Sequence, residues 1–120
     1  MAIPLPGRHW FDENKTGKGG LTEFGKKVVK RMNEIGVLVD VSHLGEKSFW
    51  DVIETTNSPV IASHSNCYAI NPSYRNLTDD QIKAIAKTGG VVMINFHNDF
   101  TSIDSKGKTK TFYNIYSSDR

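Results

Sequence analysis

The sequence predicts an α/β chain built on a parallel sheet, and three observations carry the prediction. Apolar, β-branched runs at 37–42, 60–63 and 91–96 ("VLVDVS", "VIAS", "VVMINF") lack the polar alternation of a half-exposed strand, as expected of strands buried on both faces. Segments with helical spacing of apolar residues separate these runs. The connections are short, so each strand neighbours the next through a right-handed crossover.

Residues 1–20 are rich in Gly, Pro, Lys and Asn and read as an irregular lead-in. The opening "MAIPLPGRHW" lacks the charged and apolar regions of a signal peptide, so none is expected. From Leu21 the pattern turns helical: Leu21, Phe24, Val28, Met32 and Ile35 recur on one stripe and are expected inward, and Gly36 stops the helix. The strand at 37–42 follows. Residues 46–56 read as a second helix with Phe49, Trp50, Val52 and Ile53 inward, ended by Pro59, which disfavours helix in the residue before it. After the strand at 60–63 comes a polar loop, "HSNCYAINPSYRN". "TDDQ" at 78–81 is a capping box with acidic residues in the first turn. The helix it opens carries Ile82, Ile85 and Ala86 inward and stops at Gly89-Gly90, before the strand at 91–96. Residues 97–120 form a polar tail whose one helical pattern starts at "TFYNIY". The organisation expected is therefore a lead-in at 1–20, a βα segment at 21–96 and a tail at 97–120.

A chain of 120 residues suits one domain with a modest core. Its 15 basic and 13 acidic residues are spread along the chain, so no basic block argues for nucleic acid or an anionic membrane as partner. No apolar run approaches the ~20 residues of a membrane span. Cys67 is the only cysteine, which rules out an internal disulfide and favours a reducing, cytoplasmic setting.

Two of the strand-like runs end alike, in Ser42-His43 and Ser63-His64. In a parallel α/β sheet ligands bind beyond the carboxyl ends of the strands. Neighbouring strands lie ~4.8 Å apart, so two imidazoles there can point at one ion. A lone histidine is commonly a packed, hydrogen-bonded residue. For a pair at matched strand ends, packing and metal ligation both stand as readings. Two histidines fall short of a complete zinc site, which takes three or four protein ligands.

Other polar residues crowd the same edge. Asp40 lies within an apolar strand, where a bare carboxylate is costly, and reads as a structural hydrogen-bonding partner. Ser42 and Ser63 are placed to bond nearby backbone. No Gly-x-Ser-x-Gly elbow marks a serine nucleophile, and no catalytic residue is assigned. Arg75, in the loop after the second strand, is either a solvated charge or a bidentate holder of a carboxylate. On the residues alone the solvated reading is preferred. His97 lacks the Ser-His lead-in and reads as structural or exposed, and His9 has no context.

The stretches "GLTEFGKKVVKRMNEIGVLVDVSHLGEKSFWDVIE" and "SPVIASHSNCYAINPSYRNLTDDQIKAIAKTGGVVMINF" closely resemble the membrane dipeptidase (renal dipeptidase) family of zinc peptidases. The likeness runs from about Gly20 to Phe96 and combines "DVSH", "ASHS" and "RNLTDDQI" in order. It implies a (β/α)8 barrel of the TIM type, of which this chain is a middle segment, with a binuclear zinc site at the strand ends. It also implies that His43 and His64 are ligands of one zinc, and that Arg75 binds the terminal carboxylate of a dipeptide. The family's His-x-Asp ligand pair, bridging glutamate, substrate-binding histidine and late aspartate have no counterpart motif here; His9 and Asp119 lack the context for those roles.

The function expected is therefore zinc-dependent dipeptide hydrolysis, carried by a segment with little or no activity alone. Oligomerisation or the remaining barrel segments would cover its open sheet edges. Two alternatives stand beside it. One is a non-catalytic α/β module that binds metal weakly or only packs. The other is a different metal-dependent barrel hydrolase, against which the Arg75 loop and "RNLTDDQI" both argue.

Overall fold

The computed structural model describes residues 2–4, 19–103 and 109–110. Along the chain these form β1 (Ala2–Pro4), α1 (Glu23–Glu34), β2 (Leu38–Asp40), α2 (Glu46–Thr55) and β3 (Val60–Ala62). Then follow α3 (Asp79–Lys87), β4 (Val91–Val92), α4 (Asn98–Thr101), β5 (Ser102–Ile103) and β6 (Thr109–Lys110). The first four strands pair in parallel in the order β1-β2-β3-β4, so each is hydrogen-bonded to its neighbour in sequence. β5 and β6 make a separate antiparallel pair. The parallel α/β expectation therefore holds.

The helices begin and end for local reasons. Thr22 caps α1 by accepting the Gly25 N–H at 3.1 Å, and Gly36, at a φ of +72°, takes the left-handed turn that ends it. Thr78 and Gln81 form the full capping box at the start of α3, with the Gln81 Oε1 accepting the Thr78 N–H at 2.9 Å. After α3 the chain must pass close under β3. A Cβ on Gly90 would stand 1.7 Å from the Val60 carbonyl oxygen, so only glycine fits.

The core lies between the helices and one face of the sheet. Val29 and Met32 of α1, Phe49 and Val52 of α2, and Ala84 and Ile85 of α3 pack with Val39, Val41, Val60 and Ala62. Each large side chain buried this way contributes about 1.5–3 kcal/mol of transfer free energy. Successive strand residues face opposite ways. Asp40, registered with Ile61, therefore lies on the other face, away from the helices.

Several expectations need correction. Phe24 and Ile35 are 61% and 55% exposed. The buried face of α1 centres on Gly25, Val29 and Met32, and both side chains sit about 80–100° round its flank. Ala86 is exposed for a similar reason: the capping box tucks Gln81 inward, which turns the buried face of α3 toward Gln81, Ala84 and Ile85. Trp50, Ile53 and Ile82 are partly buried against the core.

The strands are shorter than the apolar runs. Past Val92 the chain keeps to β3 for one more residue, through Met93 N–H to Ala62 O at 2.8 Å. The Asn95 N–H then turns to the Asn66 side chain, also at 2.8 Å, and the strand ends. In the lead-in, where irregular structure was expected, Ala2–Pro4 pairs with Leu38–Asp40. Pro4 is tolerated because the strand is at the sheet edge. His9 and the helical pattern at 111–116 lie outside the described residues. Among the described residues no helix is long and apolar enough to cross a membrane.

Candidate metal centre

β2 and β3 run side by side with Asp40 opposite Ile61. His43 and His64 each lie three residues beyond that registered pair. Equal offset on parallel neighbours brings both imidazoles over the same sheet edge. Their ring centroids are 4.8 Å apart, and their Nε2 atoms approach to 2.7 Å.

Asp40 ties the two strand ends together beneath the rings. Its Oδ1 accepts the backbone N–H groups of Ser42 and Ser63, each at 3.1 Å, and its Oδ2 accepts the Ser63 hydroxyl. Ser42 Oγ in turn accepts the His64 N–H at 3.0 Å. Burial pushes the Asp40 carboxyl up, but the hydrogen bonds from Ser63 and Ser42 outweigh it and hold the group below its ordinary 3.8. The structural role read from the sequence is thus specific: the carboxylate welds one strand end to the next.

The hydrogen-bond chain also assigns a tautomer. The Ser63 hydroxyl gives its proton to Asp40, so its oxygen accepts at His64 Nδ1, 2.6 Å away. His64 then carries its proton on Nδ1 and offers a lone pair on Nε2. On the other ring, Arg75 Nη2 lies 3.2 Å from His43 Nε2. A guanidinium only donates, so this nitrogen too presents a lone pair. Burial, the Arg75 charge and His64 together lower the His43 pKa from 6.5, which keeps the imidazole neutral to more acidic pH.

These donors fit a metal ion in their chemistry. A proton on His43 Nε2 would satisfy His64 but set one N–H against another at Arg75. A cation shared by the two lone pairs would satisfy both imidazoles and would release Arg75 Nη2 from His43, whose ring nitrogen has only one lone pair to give. The carboxylate–serine–histidine chain is the kind of support that orients a ligating histidine. Imidazole nitrogens bound at ~2.0–2.1 Å to a tetrahedral ion stand about 3.4 Å apart, which a small rotation of the exposed His43 ring supplies. Among the described residues no group of three or more His, Cys, Asp or Glu side chains is placed to hold a metal. The pair alone offers two donors, short of the three or four that a complete zinc site takes.

Arg75 therefore does not point into solvent, contrary to the reading preferred from the residues alone. Its guanidinium spans His43 Nε2 and the Ser42 carbonyl, the latter at 3.5 Å, and lies 5.3 Å from the centre of the Phe100 ring. Phe100 and the asparagines that hold its helix were missed. A signal was present in the even spacing of Asn66, Asn71 and Asn76 through the polar loop. His97 is exposed, with its ring 5.0 Å from that of Phe100.

The profile of the family described as Membrane dipeptidase (Peptidase family M19) matches residues 8–116. A Klebsiella pneumoniae protein described as an uncharacterized protein in the pqqA 5' region is 39% identical over 118 residues, covering 88% of this chain and 44% of that protein. An Acinetobacter calcoaceticus protein described as an uncharacterized protein in the PQQ-III 3' region is 40% identical, covering 88% of this chain and 33% of that one. The chain thus spans less than half the length of either relative. Among solved structures it superposes on a metallo peptidase from Rhodobacter sphaeroides, crystallised with a phosphinate mimic of the dipeptide L-Ala-D-Ala. The TM-score is 0.69 at 41% identity, over 76% of this chain and 25% of that one. The probable dipeptidase PvdM from Pseudomonas aeruginosa gives a TM-score of 0.76 at 28% identity, over 88% of this chain and 29% of that one.

Proposed function

The chain belongs to the membrane dipeptidase family, and from that premise we propose that it is the zinc-ligating segment of a dipeptide hydrolase. One observation carries the reading: two imidazole Nε2 atoms converge to 2.7 Å at matched strand ends, directly beside an arginine. In this reading His43 and His64 hold one zinc ion, and residues 21–96 are part of a (β/α)8 barrel completed by segments beyond this chain. Those segments also cover the open sheet edges.

A zinc ion held by His43 and His64 would supply water ionised near pH 7 and Lewis acidity for the scissile carbonyl. The chain's own residues do the rest of what is assigned here. Asp40 and Ser63 hold the His64 ring so that Nε2 faces the ion. Burial and Arg75 keep His43 in its neutral, ligating form. Arg75 receives the terminal carboxylate of the dipeptide and so sets the distance from that end to the scissile bond. No residue of the chain is assigned as nucleophile or general base, and the chain by itself is proposed to be nearly inactive.

The alternative is a packing module that binds no metal, favoured by the lack of a third ligand beside the pair among the described residues. Zinc titration of the purified chain, wild type beside His43→Ala and His64→Ala, separates the two. Binding lost in either variant supports the half-site. Binding indifferent to both substitutions overturns it. Robust dipeptide hydrolysis by the chain alone, abolished by His43→Ala, would overturn the proposed inactivity.

A further inference from the structure

We propose that Phe100 is a positioning residue for Arg75, held under the guanidinium by a clamp of three asparagines from the loop that carries the arginine. Phe100 sits on α4, a helix of four residues with almost no stability of its own. What fixes it comes from outside. Its carbonyl oxygen accepts two side-chain amides, from Asn66 at 2.9 Å and Asn76 at 2.7 Å. The neighbouring Asp99 carbonyl accepts the Asn71 amide at 2.8 Å. Asn66 also brackets Asn95, donating to its carbonyl and accepting its N–H, each at 2.8 Å.

All three asparagines are buried, and three amides are costly to bury unless their hydrogen bonds matter. Here those bonds all go to main chain, including that from Asn76 to the Asn71 backbone carbonyl. The loop grips the short helix, and the helix returns a ring beneath the loop's own arginine.

The guanidinium is thereby held on two sides. Nη2 meets His43 Nε2 and the Ser42 carbonyl, and Cζ lies over the Phe100 ring, 5.3 Å from its centre. Its Nε is buried and has no hydrogen-bond partner. An arginine free in solvent must be frozen by the ligand it binds, whereas a stacked one is already ordered. The benefit to catalysis rests on the reading of Arg75 as carboxylate holder; the stacking itself does not.

The test uses the 120-residue chain, labelled with nitrogen-15, with the Arg75 Nε–H signal assigned by its loss in Arg75→Lys. In wild type the guanidinium protons are expected upfield, displaced by the Phe100 ring current. Phe100→Leu should abolish that displacement and weaken acetate binding, read at the same signal, by about two- to fivefold. Phe100→Tyr should restore both, which a role in packing alone would not require of the arginine signal. An Arg75 signal without ring displacement in wild type overturns the proposal, and this arm needs no variant to fold. So does a signal unchanged in a folded Phe100→Leu chain. If acetate leaves the Arg75 signal unmoved while its dependence on Phe100 holds, the carboxylate reading fails and the positioning stands.

Discussion

The tips of β2 and β3 differ sharply from the tip of β4. Where β2 and β3 stop, the groups beneath the rings find partners inside the chain: Asp40, Ser42, Ser63 and His64 form one connected set. Where β4 stops, the surface is apolar and open, with Val91, Met93, Ile94 and Phe96 all exposed. The first region is tied together by hydrogen bonds between the two strand ends. The second is a sheet edge among the described residues, and an edge strand offers unpaired backbone that invites another chain. Among the described residues, the chain thus ties its candidate site together while leaving β4 at the edge of the sheet.

Gly90→Val should give the largest effect, because it attacks the weaker region where the chain has no room. A side chain there meets the Val60 carbonyl at its first atom. Destabilisation of about 3 kcal/mol or more is expected in urea unfolding, with β4 displaced from β3. A loss under 1 kcal/mol would show that β4 is only loosely attached.

Asp40→Asn attacks the stronger region. The amide keeps the shape but loses charge-assisted bonds to two backbone groups and a hydroxyl, at about 2 kcal/mol by the same measurement. The pH dependence has a definite sign. The folded pKa of Asp40 lies below its ordinary value of 3.8. Its contribution is therefore present above 3.8 and disappears as pH falls through the lower, folded value. Wild type should lose stability as pH falls below 3.8 more steeply than Asp40→Asn; parallel losses would show that the carboxylate is not held as described.

Ser63→Ala leaves both histidines in place but removes the oxygen that assigns the His64 tautomer. Zinc affinity is expected to fall about tenfold, as for other outer-shell partners, with the fold retained by circular dichroism. Unchanged affinity would detach the serine from the ligand. Ile94→Lys should have the smallest effect, within about 0.5 kcal/mol, while reducing self-association in sedimentation. If it unfolds the chain instead, the β4 side is better packed than its exposure indicates.

The same contrast explains what could be read in advance. The order of elements, the capping box and the paired Ser-His endings depend on local pattern, and local pattern is written in consecutive residues. The exposure of Phe24 and Ile35 is not, because any face of an amphipathic helix more than half a turn wide leaves open which part meets the sheet. β4 looked long because "VVMINF" is apolar throughout, yet its length is set by an asparagine 29 positions earlier. Arg75 looked solvated because neither His43 nor Phe100 is near it in sequence. The residues that shape the site were legible as types; the partners that give them a task were not.

The equal offset of His43 and His64 from their registered strands has a consequence for how such a sequence can change. Because both offsets are three residues, adding or deleting one residue between Asp40 and His43, or between Ile61 and His64, puts the two imidazoles out of step at the sheet edge. Amino-acid replacements around the pair are graded in their cost, but a single-residue indel is all or nothing. The two strand tips behave as a fixed-length word: its letters can vary, and its spelling length cannot.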